Sequence, residues 1–216
     1  MCGSAGRVCE RRIVAKKAKQ VLLPIAPLPD LTQWWQSQHT LGVVIGGLAV
    51  ALLGRPRVTR DIDAMVLLPE DRWPIFLEGG SAFGFVPRHA GALEFAREAR
   101  VLLLRHEPTG IDIDVALGCL PFEEETVARA TLVQVAGVSV PLPTPEDLVI
   151  MKAVAHRDRD QLDVAGLLAA HPDLDVRRVR RWVRAFAEAL DMPELYDDLQ
   201  AQLASRPPRK RGKGKA

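Results

Sequence analysis

The sequence predicts an α/β (α+β) fold, in which a mixed β-sheet core is followed by a C-terminal helical subdomain. Short apolar strand-like segments alternate with helical ones as far as residue 142, and the segments beyond it are all helical in pattern. Two hairpins are predicted, one turning at residues 108–110 and one at Gly137. Hairpins pair antiparallel strands, so the sheet is expected to be mixed rather than wholly parallel.

Composition places the chain among ordinary globular proteins. Its 216 residues suffice for one well-buried core and are too few for two large domains. The three scattered cysteines, Cys2, Cys9 and Cys119, favour a reducing cytosol over a disulfide framework or a structural zinc site. No apolar run is long enough to span a membrane. We therefore expect a soluble, cytoplasmic protein with no membrane partner.

The net charge of +2 conceals an uneven distribution. Residues 1–20 carry six Lys or Arg and one Glu, and residues 206–216 carry six Lys or Arg and no acid. Of 29 basic and 27 acidic residues, 17 basic and 26 acidic ones remain between these ends. An acidic body suits a site that gathers divalent metal, and basic ends suit either loose contact with nucleic acid or simple solvation. The predicted organisation is a poorly ordered basic lead-in over 1–27, a core over 28–150, a helical subdomain over 151–205 and a disordered basic tail over 206–216.

The first elements are predicted from caps and apolar periods. Asp30 can cap a helix that buries Leu31, Trp34 and Trp35. Gly54 is expected to close a short helix over 48–53. Further elements predicted up to residue 142 are strands over 41–45 and 61–68, a helix over 70–77, a short strand and helix within 83–100, strands over 101–106 and 111–117, a helix over 121–130, and strands over 132–135 and 138–142.

The helical part opens with a strong start signal. Thr144 offers a hydroxyl cap, Pro145 suits the first helical position, and Glu146 and Asp147 place acids in the first turn. This predicts a helix to about residue 156, and the following helices are predicted over 160–171, 176–190 and 194–204.

Paired carboxylates are the first candidates for chemistry. Asp61 and Asp63 lie two apart on a predicted strand and so share a face, where their oxygens could hold hard divalent cations. A third acid from the 111–117 strand, Asp114 or its rival Asp112, would complete a site for one or two Mg²⁺ ions. The alternative is that these acids alternate outward on half-solvated strands.

Gly46 and Gly47 lie between a strand and a helix. Their backbone N–H groups could cradle phosphate at a helix N-terminus. A tight turn that needs a positive φ would select the same residues.

In combination these motifs resemble the nucleotidyltransferase superfamily, the DNA polymerase β-like fold. Its signature is a Gly-Gly turn, then Asp-x-Asp after a short helix, then a later acid on an adjacent strand. The stretch TPEDLVIMKAVAHRDRDQLDV is similar, more narrowly, to the AbiEii/AbiGii-type nucleotidyltransferase toxins. The positions that match their third motif are Lys152, Arg157, Asp160 and Asp163.

The resemblance implies an enzyme that moves an NMP from an NTP to an acceptor hydroxyl and releases pyrophosphate. It implies Mg²⁺, with Mn²⁺ as a substitute, on Asp61, Asp63 and Asp114, and nucleotide binding by the glycine pair and the third motif. It also implies toxin-type biology, with RNA such as tRNA as acceptor and an antitoxin protein as partner. The alternatives are an adenylyltransferase of the antibiotic-modifying kind, acting on a small molecule or protein, and a nucleotide-binding module without catalysis.

The basic candidates each have a structural alternative. Lys152 is the only charged residue between Asp147 and His156, so its ammonium either snorkels to the surface or faces a cleft as a catalytic, phosphate-binding cation. Asp160 and Asp163 could instead serve the N-terminus of the helix predicted from residue 160. The helix over 176–190 carries five arginines, which could hold an RNA backbone or form a solvated face.

Overall fold

The computed structural model describes residues 23–205 and confirms the mixed α/β prediction. The strands are β1 Leu41–Ile45, β2 Ile62–Leu67, β3 Phe85–Pro87, β4 Val101–His106, β5 Ile111–Gly118, β6 Thr131–Val135 and β7 Val138–Leu142. The α-helices are α1 Leu28–Ser37, α2 Gly46–Leu53, α3 Trp73–Ser81, α4 Ala92–Ala99, α5 Pro121–Ala128, α6 Pro145–Ala155, α7 Asp158–Ala170, α8 Val176–Leu190 and α9 Glu194–Ala204.

The main sheet has five strands in the order β1-β2-β5-β4-β3. β2 and β5 are parallel, whereas β1 pairs with β2, β4 with β5 and β3 with β4 in the antiparallel sense. The β6–β7 hairpin forms a separate two-stranded sheet. The parallel pair lies at the centre, and it carries the acids that the sequence identified.

The two faces of β2 have different surroundings. Ile62, Ala64 and Val66 belong to the main hydrophobic cluster, while Met65 packs in a small cluster with Val43 and Val127. Because side chains alternate along a strand, Asp63 shares the face of Met65. Its carboxylate therefore lies on the face that the main core does not fill.

The C-terminal helices pack on the same core as the sheet. Leu148 of α6, Leu167 of α7, Val183 of α8 and Leu199 of α9 all belong to the main cluster. The division into a core and a helical subdomain stays a prediction, and its boundary at residue 150 falls inside α6.

Two predicted helix caps are wrong. α1 begins at Leu28, because Pro29 suits the first turn, so Asp30 lies inside the helix rather than at its cap. α7 begins at Asp158 with Arg157 at the N-cap position, so Asp160 does not cap it. The start at Thr144 is confirmed, since the Thr144 hydroxyl accepts a hydrogen bond from the Asp147 N–H.

The predicted basic lead-in as far as residue 22 and the tail from residue 206 lie outside the described residues. Between residues 23 and 205, no helix combines the length and apolar character needed to cross a membrane.

Candidate active site

The register of the central strands brings two predicted carboxylates side by side. Asp63 of β2 is the direct partner of Asp114 of the parallel strand β5. Asp61 lies one residue before β2, exposed, and its Oδ1 accepts a hydrogen bond of 2.9 Å from the Thr59 hydroxyl. The three acids therefore meet at one end of the central strands.

The glycine pair lies directly against Asp63. Gly46 has a φ of +62°, and a Cβ atom there would lie 1.8 Å from Asp63 Oδ2. The Gly47 N–H donates a hydrogen bond of 3.3 Å to the same oxygen. Both the backbone conformation and the close approach of the carboxylate thus require glycine at position 46. Phosphate binding by the pair stays a prediction.

Lys152 is buried and held by the acids of the third motif. Its ammonium donates to Asp160 Oδ1 at 2.8 Å and lies 3.6 Å from Asp163 Oδ2. Arg157 Nε donates to Asp160 Oδ2 at 2.5 Å, and Arg57 Nε lies 3.1 Å from Asp163 Oδ1. Two carboxylates therefore hold three cations, and this cluster keeps one positive charge in excess.

Electrostatics favours the ionised form of Asp160. Burial by itself raises the pKa of the Asp160 carboxyl, but hydrogen bonds from Arg157 and Lys152 outweigh it and hold the pKa below its ordinary value. The pKa of Arg157 is raised in turn, mainly by its hydrogen bond to Asp160, with a smaller contribution from the charge of Asp63. Asp160 and Arg157 thus stabilise each other's charged forms.

Two cavities open beside these groups. A polar cavity of about 310 Å³ is lined by Gly47, Arg57, Thr59, Asp61, Asp63, Lys152, Arg157, Arg159 and Asp160. A more apolar cavity of about 410 Å³ is lined by Ile45, Gly46, Asp63, Met65, Ala116, Leu120, Phe122, Glu123, Met151, Lys152, Val154, Ala155, Arg157 and Phe186. Asp63, Lys152 and Arg157 line both cavities. A ligand that filled both would therefore pass directly over these three side chains.

Asp114 and Asp112 differ in their partners. Arg88 Nη2 donates to Asp114 Oδ1 at 2.5 Å and its Nη1 to Asp112 Oδ2 at 3.4 Å, while Arg105 Nε donates to Asp112 Oδ1 at 2.8 Å. The Arg105 hydrogen bond holds the pKa of Asp112 below its ordinary value. Burial raises the pKa of Asp114; the charge of Arg88 opposes this rise, and Asp63 and Asp61 add to it. The pKa of Asp114 is therefore affected by the charges of both Asp61 and Asp63.

The donor chemistry suits a hard cation, since Asp61, Asp63 and Asp114 offer carboxylate oxygens from adjoining segments. Each of the three is engaged by a neighbour, namely Thr59, the Gly47 amide and Arg88. Within residues 23–205 no three His, Cys, Asp or Glu side chains are gathered closely enough to hold an ion. Binding a metal would therefore require these side chains, and Arg88 above all, to turn.

The structure places Asp61, Asp63 and Lys152 around the polar cavity with Gly47, whereas Asp114 lies beside Asp63 on the neighbouring strand and lines neither cavity. Their catalytic roles stay predictions. Sequence reasoning missed Arg57, Arg88 and Arg159. Arg159 lines the polar cavity and makes no ion pair with any residue of the described part. Arg57 and Arg88 lie on loops, and nothing in the local pattern shows which acids they reach.

Comparison with known proteins points to the nucleotidyltransferases. The family model described as "Nucleotidyltransferase of unknown function (DUF6036)" matches residues 30–197. No curated protein matches the chain by sequence.

Solved structures share the fold at low sequence identity. An antigenic nucleotidyltransferase-like protein from Paracoccidioides brasiliensis is 16% identical with a TM-score of 0.50, over 82% of this chain and 91% of that one. The antibiotic-resistance factor ANT(2'')-Ia is 13% identical with a TM-score of 0.54, over 80% of this chain and 96% of that one. At such identities the likeness establishes the fold and nothing finer.

Proposed function

We propose that the chain, which belongs to this DUF6036 family of nucleotidyltransferases, transfers an NMP from an NTP to an acceptor hydroxyl in a Mg²⁺-dependent reaction. The observation that supports this most directly is one cavity in which two carboxylates, Asp61 and Asp63, face the cations Lys152, Arg157 and Arg159. A triphosphate with its cation needs both kinds of charge in one place. The antitoxin partner, the narrower toxin-type subtype and the cytoplasmic location stay predictions.

Asp61, Asp63 and Asp114 would hold the Mg²⁺, or Mn²⁺ in its place, because hard cations prefer carboxylate oxygens. When bound, one or two such ions neutralise phosphate charge and help activate the acceptor hydroxyl. We prefer Asp114 to Asp112 as the third carboxylate. Asp114 is paired with Asp63 across the sheet, whereas Asp112 is engaged by two arginines.

The chain's own side chains account for the other steps. Lys152, Arg157 and Arg159 bind the triphosphate along the polar cavity, and Asp160 and Asp163 act as positioning residues that hold Lys152 and Arg157 in place. The glycine pair would bind the nucleotide phosphates through its backbone N–H groups, and Gly47 lines the polar cavity.

In the transfer itself, the acceptor oxygen forms a bond to the α-phosphorus, and the bond from that phosphorus to the pyrophosphate oxygen breaks. Asp114 takes the proton of the acceptor hydroxyl. The cations of the polar cavity stabilise the negative charge of the departing pyrophosphate. The protein contributes mainly positioning and charge.

The test is incubation with each labelled NTP, Mg²⁺ and, separately, total RNA, total protein and small metabolites. The label is expected in one acceptor fraction with the wild type. With Asp63→Asn, which keeps the shape of the side chain and removes its charge, we expect transfer to fall by about 10³-fold or more and the fold to persist. Label in the metabolite or protein fraction would favour the antibiotic-modifying kind of acceptor.

A matched control makes the same chemical change elsewhere. Asp71→Asn alters an exposed acid of the 3₁₀ turn Glu70–Arg72 and should leave transfer unchanged. Undiminished transfer by Asp63→Asn would disprove the mechanism. NTP binding without transfer to any fraction would favour a binding module.

A further inference from the structure

The surface of α8 concentrates positive charge on an acidic body. Five of the 17 basic residues between the terminal segments lie on this one helix. Four of them, Arg177, Arg180, Arg181 and Arg184, are exposed, whereas Arg178 is buried. We call these four the arginine basin, because they line a recess of about 420 Å³ together with Tyr196.

The basin is hardly neutralised by acids of the described part of the chain. Arg180 donates to the Gln200 amide oxygen, and Arg184 donates to the Tyr196 hydroxyl with its guanidinium 4.6 Å from the ring centroid. Arg177 makes no ion pair within residues 23–205. Among the acids of residues 23–205, Arg181 comes within ion-pair distance of Glu125 alone, at 3.6 Å, and the same oxygen of Glu125 also accepts from Arg178.

The fold by itself does not require this arrangement. Arginines spaced three and four apart on a helix repel one another, and α8 offers them a single acid, Glu188. A helix face that only meets solvent would be equally soluble with a mixture of acidic and basic residues. Arg178 shows the contrast, since it makes hydrogen bonds to Asp147 and Glu125 inside the protein. The four exposed guanidiniums therefore keep N–H donors available for an anionic partner.

The basin adjoins the proposed catalytic site. Ala185 lines the basin, and its neighbour Phe186 lines the apolar cavity that also contains Asp63 and Lys152. One helix thus carries both surfaces on adjacent faces.

We infer that the arginine basin binds the phosphodiester backbone of a nucleic-acid acceptor and presents its terminal hydroxyl to the cavity at Asp63. Guanidinium groups bind phosphate oxygens bidentately, and a backbone with regularly spaced charges matches a row of arginines. The inference rests on the proposed function. It adds the class of acceptor and the surface that recognises it.

The experiment measures binding of a fluorescein-labelled single-stranded RNA, and of a DNA of the same sequence, by anisotropy across salt concentrations. The full chain is used throughout, so that the basic ends contribute equally to every variant. Arg177→Glu with Arg180→Glu is expected to weaken binding by about 10-fold or more and to reduce the salt slope by about 1.4, the value for two lost phosphate contacts on a single strand.

Two controls separate the basin from total charge and from folding. Arg55→Glu with Arg72→Glu makes the same charge change at exposed arginines elsewhere and should leave the salt slope unchanged. Arg177→Lys with Arg180→Lys keeps the charge and should retain most of the affinity. Equal losses from the two reversed pairs, or no loss from the basin pair, would overturn the inference. So would binding to anionic phospholipid vesicles with no binding to either strand.

The same assay distinguishes this inference from the proposed function. Asp63→Asn should bind the RNA as the wild type does. If Asp63→Asn still transfers, and the Arg177→Glu, Arg180→Glu variant binds RNA weakly, the proposed mechanism fails and the inference about the basin stands. If Asp63→Asn loses transfer and the Arg177→Glu, Arg180→Glu variant binds RNA as the wild type does, the inference about the basin fails and the proposed mechanism stands.

Discussion

The two buried charged side chains of α6, Asp147 and Lys152, have different surroundings. Asp147, in the first turn, has 0% exposure. It accepts hydrogen bonds from the Thr144 hydroxyl at 2.8 Å and from Arg178 Nε at 2.7 Å, and Arg129 lies 3.4 Å away. Burial by itself lowers the pKa of Arg178, but its hydrogen bonds to Glu125 and Asp147 raise it above the ordinary value.

Lys152, near the other end, is also buried and paired, with 6% exposure. Its cluster, however, forms one wall of the polar cavity, and the facing acids Asp61 and Asp63 make no ion pair with any residue between 23 and 205. Burial and pairing are common to both ends of α6. What distinguishes the candidate site is a cavity in which some carboxylates remain without a counter-charge.

Removal of Arg178 should have the largest effect on stability. Arg178→Met leaves the buried carboxylate of Asp147 with Arg129, 3.4 Å away, as its one remaining cation among the described residues, and we expect the free energy of unfolding to fall by about 3–5 kcal/mol. Urea denaturation measures it. Arg180→Met, an exposed change on the same helix, should cost no more than about 0.5 kcal/mol. Equal losses of stability from the two variants would show that the pairing of Asp147 with Arg178 is not structural, and so would contradict the contrast drawn between Asp147 and Lys152.

Removal of Lys152 should affect transfer more than stability. Lys152 is the only lysine between residues 20 and 209. In Lys152→Met, Asp160 keeps Arg157 and Asp163 keeps Arg57, so the loss of stability should be smaller than with Arg178→Met. Transfer should fall by about 10²-fold because a cation next to the developing phosphate charge is gone.

Steady-state kinetics and urea denaturation measured on the same Lys152→Met preparation would check this. Arg72→Met, which alters an exposed arginine that makes no ion pair with any described residue, is the control. A Lys152→Met enzyme with normal transfer and a large loss of stability would place Lys152 with Asp147 as a structural charge.

The smallest effect is expected in the pH dependence of stability in metal-free buffer. The pKa of Asp114 is raised, so the folded protein keeps this proton at pH values where the unfolded chain has lost it. The free energy of unfolding should therefore fall as pH rises from the ordinary aspartate pKa to that of Asp114. The effect is limited because the side chain is 37% exposed.

Arg88→Ala sharpens this prediction. Arg88 is the neighbour that lowers the pKa of Asp114, so its removal should extend the fall in stability to higher pH. Arg97→Ala, which alters an exposed arginine paired with Glu70, should leave the profile unchanged. In Asp114→Asn the fall in stability that comes from this carboxyl should be absent. A pH profile that is the same in all three variants would contradict the assignment of the effect to Asp114.

Much of the fold followed from local pattern. The period of two along residues 61–68 placed Asp61 and Asp63 on one side, and the strands and hairpin from Val101 to Gly118 were found within one or two residues. The start at Thr144 and the full length of α8 were also predicted. These features depend on dihedral preferences and caps, which neighbouring residues determine.

The sequence by itself therefore determined which side chains could carry chemistry: the glycine pair, the Asp-x-Asp strand and one lysine in an apolar helix. Only the tertiary structure decided that Asp63 lies opposite Asp114, that Asp160 and Asp163 hold Lys152 rather than cap α7, and that Arg88 reaches Asp114. The reason is physical. Local pattern fixes the direction of a side chain, whereas strand register and helix packing, which involve residues far apart in the chain, fix what that side chain meets.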